Sequence, residues 1–455
     1  MRRLRSINPY SGKINQEFDP MPFASCEKAV GMAKEALASW RKKPVSERVK
    51  PAAALASILR NRSGEYGRII TEEMGKPIRL AVAEVEKCAL ACDYYCENAE
   101  KFLRGETFDT EARKSYVRFE PLGVILGVMP WNFPFWQVVR WAVPALAAGN
   151  VCLLKHASNV PITAIELEKI FREAGFPDNT FQTLLIGPQP AERLIDEDLV
   201  DGVSITGSVQ AGSAIGAVAG KNIKKMVLEL GGSDPFVVLE DADVEKAART
   251  AVKARMSNTG QNCIAAKRLI VAESVADRFL EKFMEALGEW KVGDPMNKDT
   301  DMGPVAREEF LEGLSRQFED AVKKGATVHY GPKPPDTGFF CRPAVLTDVK
   351  PDMKVVREEV FGPIAPIIRA GSEAEMIRIA NDTDLGLGGS VWSKNIEKAE
   401  KLSHEINAGF VAVNGMVSSD PRLPFGGIKK SGYGRELSHF GLKEFVNAKT
   451  VVVND

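Results

Sequence analysis

From Val124 onward, short apolar runs alternate with helix-patterned segments, and this alternation limits the possible folds more than any other feature. VILGVM, a helix beginning at Pro134, VCLLK and a helix after Pro161 come first; TFQTLLIG, GVSITG and MVLEL follow at similar intervals. Strands separated by single helices pair in parallel, with crossover helices covering both faces of the sheet. A second α/β stretch opens at PFVVLED and runs to about Pro424, with strands at RLIVAES, around VFGPIAPIIRA and at GLGGSVWS. The first hundred residues are largely helical in pattern. Ser25 is placed as the cap of a helix through Ala29, Met32, Ala33 and Leu37, and a second helix carries Ala54, Ile58 and Leu59. The β-branched C-terminal run NAKTVVV comes too late to complete an internal sheet, so pairing with another subunit is one way to satisfy its edge.

A chain of 455 residues exceeds one ordinary core, which implies two or three domains. The 60 Lys+Arg and 61 Asp+Glu nearly cancel, giving no electrostatic reason to expect nucleic acid or an anionic membrane as partner. The basic start, MRRLRSINPYSGK, is not followed by the apolar core of a signal peptide, and no apolar run could span a bilayer. Seven cysteines, an odd number, argue against a disulfide framework. A reducing, cytoplasmic setting is the expectation.

Few segments suggest chemistry. GSVQAG (Gly207 to Gly212) follows a strand and opens a helix, where backbone can approach a phosphate, although a glycine turn can equally serve tight packing. Cys263 ends the polar, turn-like NTGQNC, a setting that suits a nucleophile better than an apolar stripe would. Glu229 closes an apolar strand beside two glycines, so its carboxylate is either paired or poised as a base. Asn132, in WNFP, reads locally as a cap for the helix at Pro134. In that helix Gln137, Arg140 and Trp141 share a face; a buried arginine there needs an anion, either a ligand's or a protein carboxylate's. Cys88, Cys92 and Cys96 have helical spacing that favours packing over a metal cluster, and the four histidines lack ligand spacing, so no metal is assigned.

Together MPWNFPFWQ, LLKHASNVP, ITGSVQAG, LELGGSDPF, NTGQNC, EEVFGP and PFGGIKKSGYGRE, in this order, resemble the aldehyde dehydrogenase superfamily along nearly the whole chain. The resemblance implies an α/β subunit in three parts. A Rossmann-like cofactor domain would hold residues 1–102 and 122–231, an α/β catalytic domain 232–428, and a small β oligomerisation arm 103–121 with 429–455. Members are homodimers or homotetramers. By the same resemblance Cys263 attacks the aldehyde, Asn132 and the Cys263 N–H stabilise the oxyanion, and Glu229 activates the water that releases the acid. Lys155 would bond a ribose hydroxyl, Glu359 the nicotinamide ribose, Gly207 and Ser208 would border nicotinamide and pyrophosphate, and Trp131 and Phe361 would wall the pocket. Ser158 stands where many NAD-preferring relatives carry a glutamate that repels a 2′-phosphate, which implies NADP as the preferred cofactor over NAD.

The segments around WQVVRWAVPALAAGN are most similar to the short bacterial succinate-semialdehyde dehydrogenases. There Arg140 would grip the substrate carboxylate with help from Gln137 and Ser419, pointing to a small aldehyde with a carboxylate tail. Ser257 stands where much of that family has another arginine, and Ala265 replaces the second cysteine of a redox switch found in some members. Other substrates remain open: glutarate semialdehyde, lactaldehyde, medium-chain aldehydes, or glyceraldehyde 3-phosphate without phosphorylation. A CoA-acylating version is disfavoured by Glu229, and a silent scaffold by the complete constellation.

Overall fold

VILGVM lies at the centre of a five-stranded parallel sheet in the computed structural model, which describes residues 3–455. Its order is Phe181–Thr183, Val151–His156, Val124–Met129, Gly202–Thr206 and Lys225–Glu229. The three central strands are almost wholly buried, which is why they read as unbroken apolar runs rather than alternating ones. TFQTLLIG contributes only three residues to the sheet. Strand order reverses on either side of Val124–Met129, so the crevice beyond the carboxyl ends of these strands is where a ligand belongs. The turns after Met129, His156, Thr206 and Glu229 all open there.

Only Leu230 to Ser233 separate this sheet from the first strand of the next, Asp234–Val238. The second sheet has seven strands, ordered Thr327–Tyr330, Ala344–Thr347, Ile364–Ala370, Ala266–Ala272, Asp234–Val238, Gly388–Trp392 and Phe410–Val413. All its pairings are parallel except that of the Thr327–Tyr330 edge.

The C-terminal strand Val446–Val453 departs from expectation. It pairs antiparallel along its full length with Lys114–Pro121 of its own chain, which in turn pairs with Glu106–Phe108. A partner in cis therefore satisfies one edge, and the other edge carries no strand among the described residues.

Helix starts also differ in detail. Ser25 lies inside the helix Phe23–Trp40, whose cap position is Pro22. The helix expected at Pro134 begins two residues later, as Trp136–Ala147, and Asn132 does not cap it. Glu84 of the long Ile78–Phe102 helix does so instead, its Oε1 accepting from the N–H groups of Phe135 (2.9 Å) and Trp136 (3.1 Å). Trp141 packs against Gly127, where any side chain would collide with the indole ring. Cys88 and Cys92 are buried packing residues with thiols held well above their usual range by desolvation. No described helix is long and apolar enough to cross a membrane.

Candidate active site

Three consecutive residues in the left-handed region, Asn258 (φ 54°), Thr259 (φ 58°) and Gly260 (φ 70°), turn the chain back before Cys263. A β-branched residue there is strained, and the surroundings over-determine the turn. Asn258 Nδ2 donates to the carbonyls of Asn132 (3.0 Å) and Gln261 (3.1 Å), and Thr259 Oγ1 donates to Gly303 O (3.0 Å). A Cβ on Gly260 would clash with the Gly362 backbone. Fully buried Arg255 donates to the carbonyls of Val360 (2.9 Å), Ile364 (2.8 Å) and Gly362, pinning the EEVFGP segment beside the turn. From the other side Lys267 donates to the carbonyls of Asn262 (2.9 Å) and Cys263 (2.6 Å) and pairs with Glu359 (3.0 Å). The nucleophile candidate is thus held by its backbone, and its thiol makes one long contact, donating to Asn262 Oδ1 at 3.8 Å.

Cys263 occupies the wall between two cavities. One, of about 460 Å³, is lined by Trp131, Asn132, Gly207, Ser208, Glu229 and Phe361, among others. The other, of about 220 Å³, is lined by Lys87, Trp136, Arg140, Met416, Ser419 and Phe425, among others. Cys263 and Gln137 line both. Desolvation pushes the thiol up to about 12, against the downward pull of Lys267 and Arg140.

Asn132 is fixed from several directions. Its Nδ2 donates to Gln261 O (3.1 Å), its Oδ1 accepts from Gln137 Nε2 (3.1 Å), and its carbonyl accepts from Lys76 Nζ (2.8 Å). Lys76 is itself ion-paired with Glu84 in full burial. Glu229 is the opposite case. It is 2% exposed, and neither carboxyl oxygen has a hydrogen-bond partner. Burial, then the Glu436 carboxylate, hold its pKa well above the usual carboxylate range, which favours the neutral acid.

Arg140 reaches the smaller cavity, but it is not unpaired. Its Nε lies 2.5 Å from Glu436 Oε2, with both side chains almost wholly buried, and its Nη2 is 3.3 Å from Thr206 Oγ1. Of the two outcomes open in the sequence, the protein carboxylate is present. Glu436 stands inside the recognised PFGGIKKSGYGRE segment, yet nothing in its spacing announces contact with a residue almost three hundred positions earlier.

On the larger cavity's rim Ser208 caps the helix Val209–Lys221, accepting from Ala211 N (3.2 Å), and Gly207 N donates to Glu229 O (3.0 Å). The two glycines of GSVQAG divide the alternatives. A Cβ on Gly212 would collide with Leu230, whereas one on Gly207 would only make ordinary contact with Ala211 Cβ at 3.8 Å. Trp131 stacks on Phe310 at 4.9 Å and meets Phe361 edge-on at 5.8 Å. Glu359 Oε1 accepts from Gly232 N (3.1 Å) as well as pairing with Lys267. Lys155 lies at the end of its strand, buried, without a carboxylate partner, and pulled down to about 8 by desolvation. Ser158 lines an adjoining cavity of about 420 Å³ with Arg3, Arg5 and Arg307.

Comparisons with known proteins cover nearly the whole chain. A probable succinate-semialdehyde dehydrogenase, NADP(+), of Synechocystis sp. is 48% identical over 449 residues, covering 98% of this chain and 99% of that one. A succinate-semialdehyde dehydrogenase, NADP(+), of Mycobacterium avium is 46% identical over 453 residues, covering 98% and 96%. The crystal structure of succinic semialdehyde dehydrogenase from Streptococcus pyogenes in complex with NADP+ superposes with a TM-score of 0.96 at 36% identity, covering 99% and 100%. With the profile described as Aldehyde dehydrogenase family matching residues 1–451, the chain belongs to the aldehyde dehydrogenase family.

Proposed function

We propose that this enzyme oxidises succinate semialdehyde to succinate with NADP, using Cys263 as nucleophile, Asn132 as oxyanion donor and Glu229 as general base. The observation that carries the reading is the thiol in the wall between two cavities, one of which also holds the unpartnered Glu229 carboxyl. The aldehyde would enter through the smaller cavity and lie with its carbonyl at the sulfur. One Asn132 Nδ2–H is engaged with Gln261 O, which leaves the second to meet the oxyanion beside the Cys263 N–H. Collapse leaves a thioester on the sulfur. Glu229, once ionised, takes a proton from the water that hydrolyses it; a carboxyl raised toward neutrality suits that task.

The cofactor's contribution, when bound, is to accept hydride. Two features of the chain fit such a group: Gly207, which lines the larger cavity at a helix N-terminus, and the buried ammonium of Lys155, which has no carboxylate partner among the described residues. Trp131, Ser208, Glu359 and Phe361 would complete its nicotinamide end. Ser158 would accept a 2′-phosphate without repulsion. In this reading residues 1–102 and 122–231 hold the cofactor, 232–428 carry the nucleophile, and 103–121 with 429–455 form the arm through which subunits pair, in a cytoplasmic enzyme. Steady-state assays of succinate semialdehyde, glutarate semialdehyde, lactaldehyde and butanal, each with NADP and NAD, test it. The expected result is the highest kcat/KM for succinate semialdehyde with NADP; a preference for butanal or for NAD would overturn the corresponding half.

A further inference from the structure

The smaller cavity contains two cations, and they are not equivalent. Arg140 is neutralised by Glu436, a contact made deep in the protein and independent of any ligand. Lys87, projecting from the Ile78–Phe102 helix, has no carboxylate within ion-pairing distance among the described residues. The acidic groups nearest to it are committed elsewhere, Glu84 to Lys76 and Asp420 to Arg422 (2.6 Å). Its ammonium sits 4.4 Å from the centre of the Trp136 ring and donates to Ser419 Oγ at 2.7 Å. Because Ser419 accepts from Lys87, its own O–H is left to donate, and no protein acceptor takes it. Much of the remaining lining is apolar, including Leu80, Phe133, Ile264, Val417 and Phe425.

We infer that Lys87, with Ser419, is the receptor for the substrate's distal carboxylate and so determines specificity for an acidic tail. This rests on the proposed function and assigns the anion's countercharge to a residue other than Arg140. One Lys87 N–H and the Ser419 O–H offer two neighbouring donors to the two oxygens of a carboxylate. The arrangement also accounts for Ser257, a neutral residue lining the same cavity: the second positive charge arrives from the Ile78–Phe102 helix instead of the segment before the nucleophile. Arg140, stacked over Phe425 with its centre 5.0 Å from the ring, then shapes the cavity and holds Glu436.

The experiment compares succinate semialdehyde with butanal, a neutral aldehyde of equal length, in wild type, Lys87→Met and Lys87→Arg. Lys87→Met is expected to raise KM for succinate semialdehyde at least roughly tenfold, the scale of one charge-assisted hydrogen bond. Its kcat and its kcat/KM for butanal should stay near wild type, which separates lost recognition from a damaged fold. Lys87→Arg should restore most of the difference. If wild type favours succinate semialdehyde and Lys87→Met keeps that preference, the assignment to Lys87 is wrong while the proposed function stands. A wild type that does not distinguish the two aldehydes overturns both.

Discussion

At the scale of single residues, the site rests in its protonated form. The Cys263 thiol is pushed up to about 12 and the Glu229 carboxyl lies well above its usual range, both chiefly by loss of water. Nearby cations, Lys267 and Arg140 for the thiol and Arg140 and Arg435 for the carboxyl, offset only part of that loss. If Glu229 acts on the thioester, Glu229→Gln should still acylate and then stall. Rapid mixing with succinate semialdehyde and NADP is expected to give a burst of reduced cofactor near one equivalent, followed by turnover slowed by roughly 10²–10⁴-fold. Loss of the burst together with the turnover would move Glu229 to activation of the thiol. Cys263 and Glu229 stand out as candidates in the sequence because each sits in a short segment whose composition is unusual for packing alone, whereas Asn132 reads locally as a helix cap and enters only through the family resemblance. Glu436, Lys267, Arg255 and Lys87 do not stand out. Lys87 shares a helix with Cys88 and Cys92 and reads as part of an ordinary amphipathic pattern, and Arg255 acts through carbonyls about a hundred residues later.

At the scale of elements, the WNFP turn depends on supports from neighbouring segments. His156, ending the strand Val151–His156, has Nδ1 2.9 Å from Ala157 N and 3.2 Å from Met129 O, and Nε2 2.9 Å from Pro134 O. In the tautomer that accepts from Ala157 N, Nε2 carries the proton and donates to Pro134 O. Burial pulls its pKa down to about 4 from an ordinary 6.5, so the imidazole is neutral in the fold near neutral pH. The unfolded chain takes up this proton first. Stability from His156 is therefore complete above about pH 6.5 and is lost as pH falls toward 4, with a total of about 3 kcal/mol. Glu73 and Asp234, both raised to about 7 chiefly by burial, work in the opposite direction, so only the difference from a His156→Gln variant isolates the effect. Urea unfolding should show wild type's advantage over that variant shrinking between about pH 7 and about pH 5; a constant gap would mean the ring is not held neutral. The strands in this part of the chain were legible because complete burial leaves no polar residue to break their runs. The cap of the Trp136–Ala147 helix was not, because Glu84 supplies it from about fifty residues upstream.

At the scale of the molecule, the two large sheets follow directly from the strand–helix alternation, while the three-stranded arm needed a contact between residues over three hundred positions apart. Its outer strand, Val446–Val453, leaves a full row of backbone donors and acceptors on one side, with Val452 half exposed. An edge of eight residues is a strong template for another strand, which supports the proposal that subunits pair through it. Deleting residues 447–455 should reduce the mass measured by light scattering to that of a smaller assembly; an unchanged mass would exclude this strand from the interface.

The shared wall at Cys263 has a consequence for traffic through the protein. In the proposed reading an acyl group carried on that sulfur would occupy the narrower chamber. With the aldehyde in the smaller cavity and the cofactor in the larger, as proposed above, the two reactants would meet the sulfur from opposite sides of one wall.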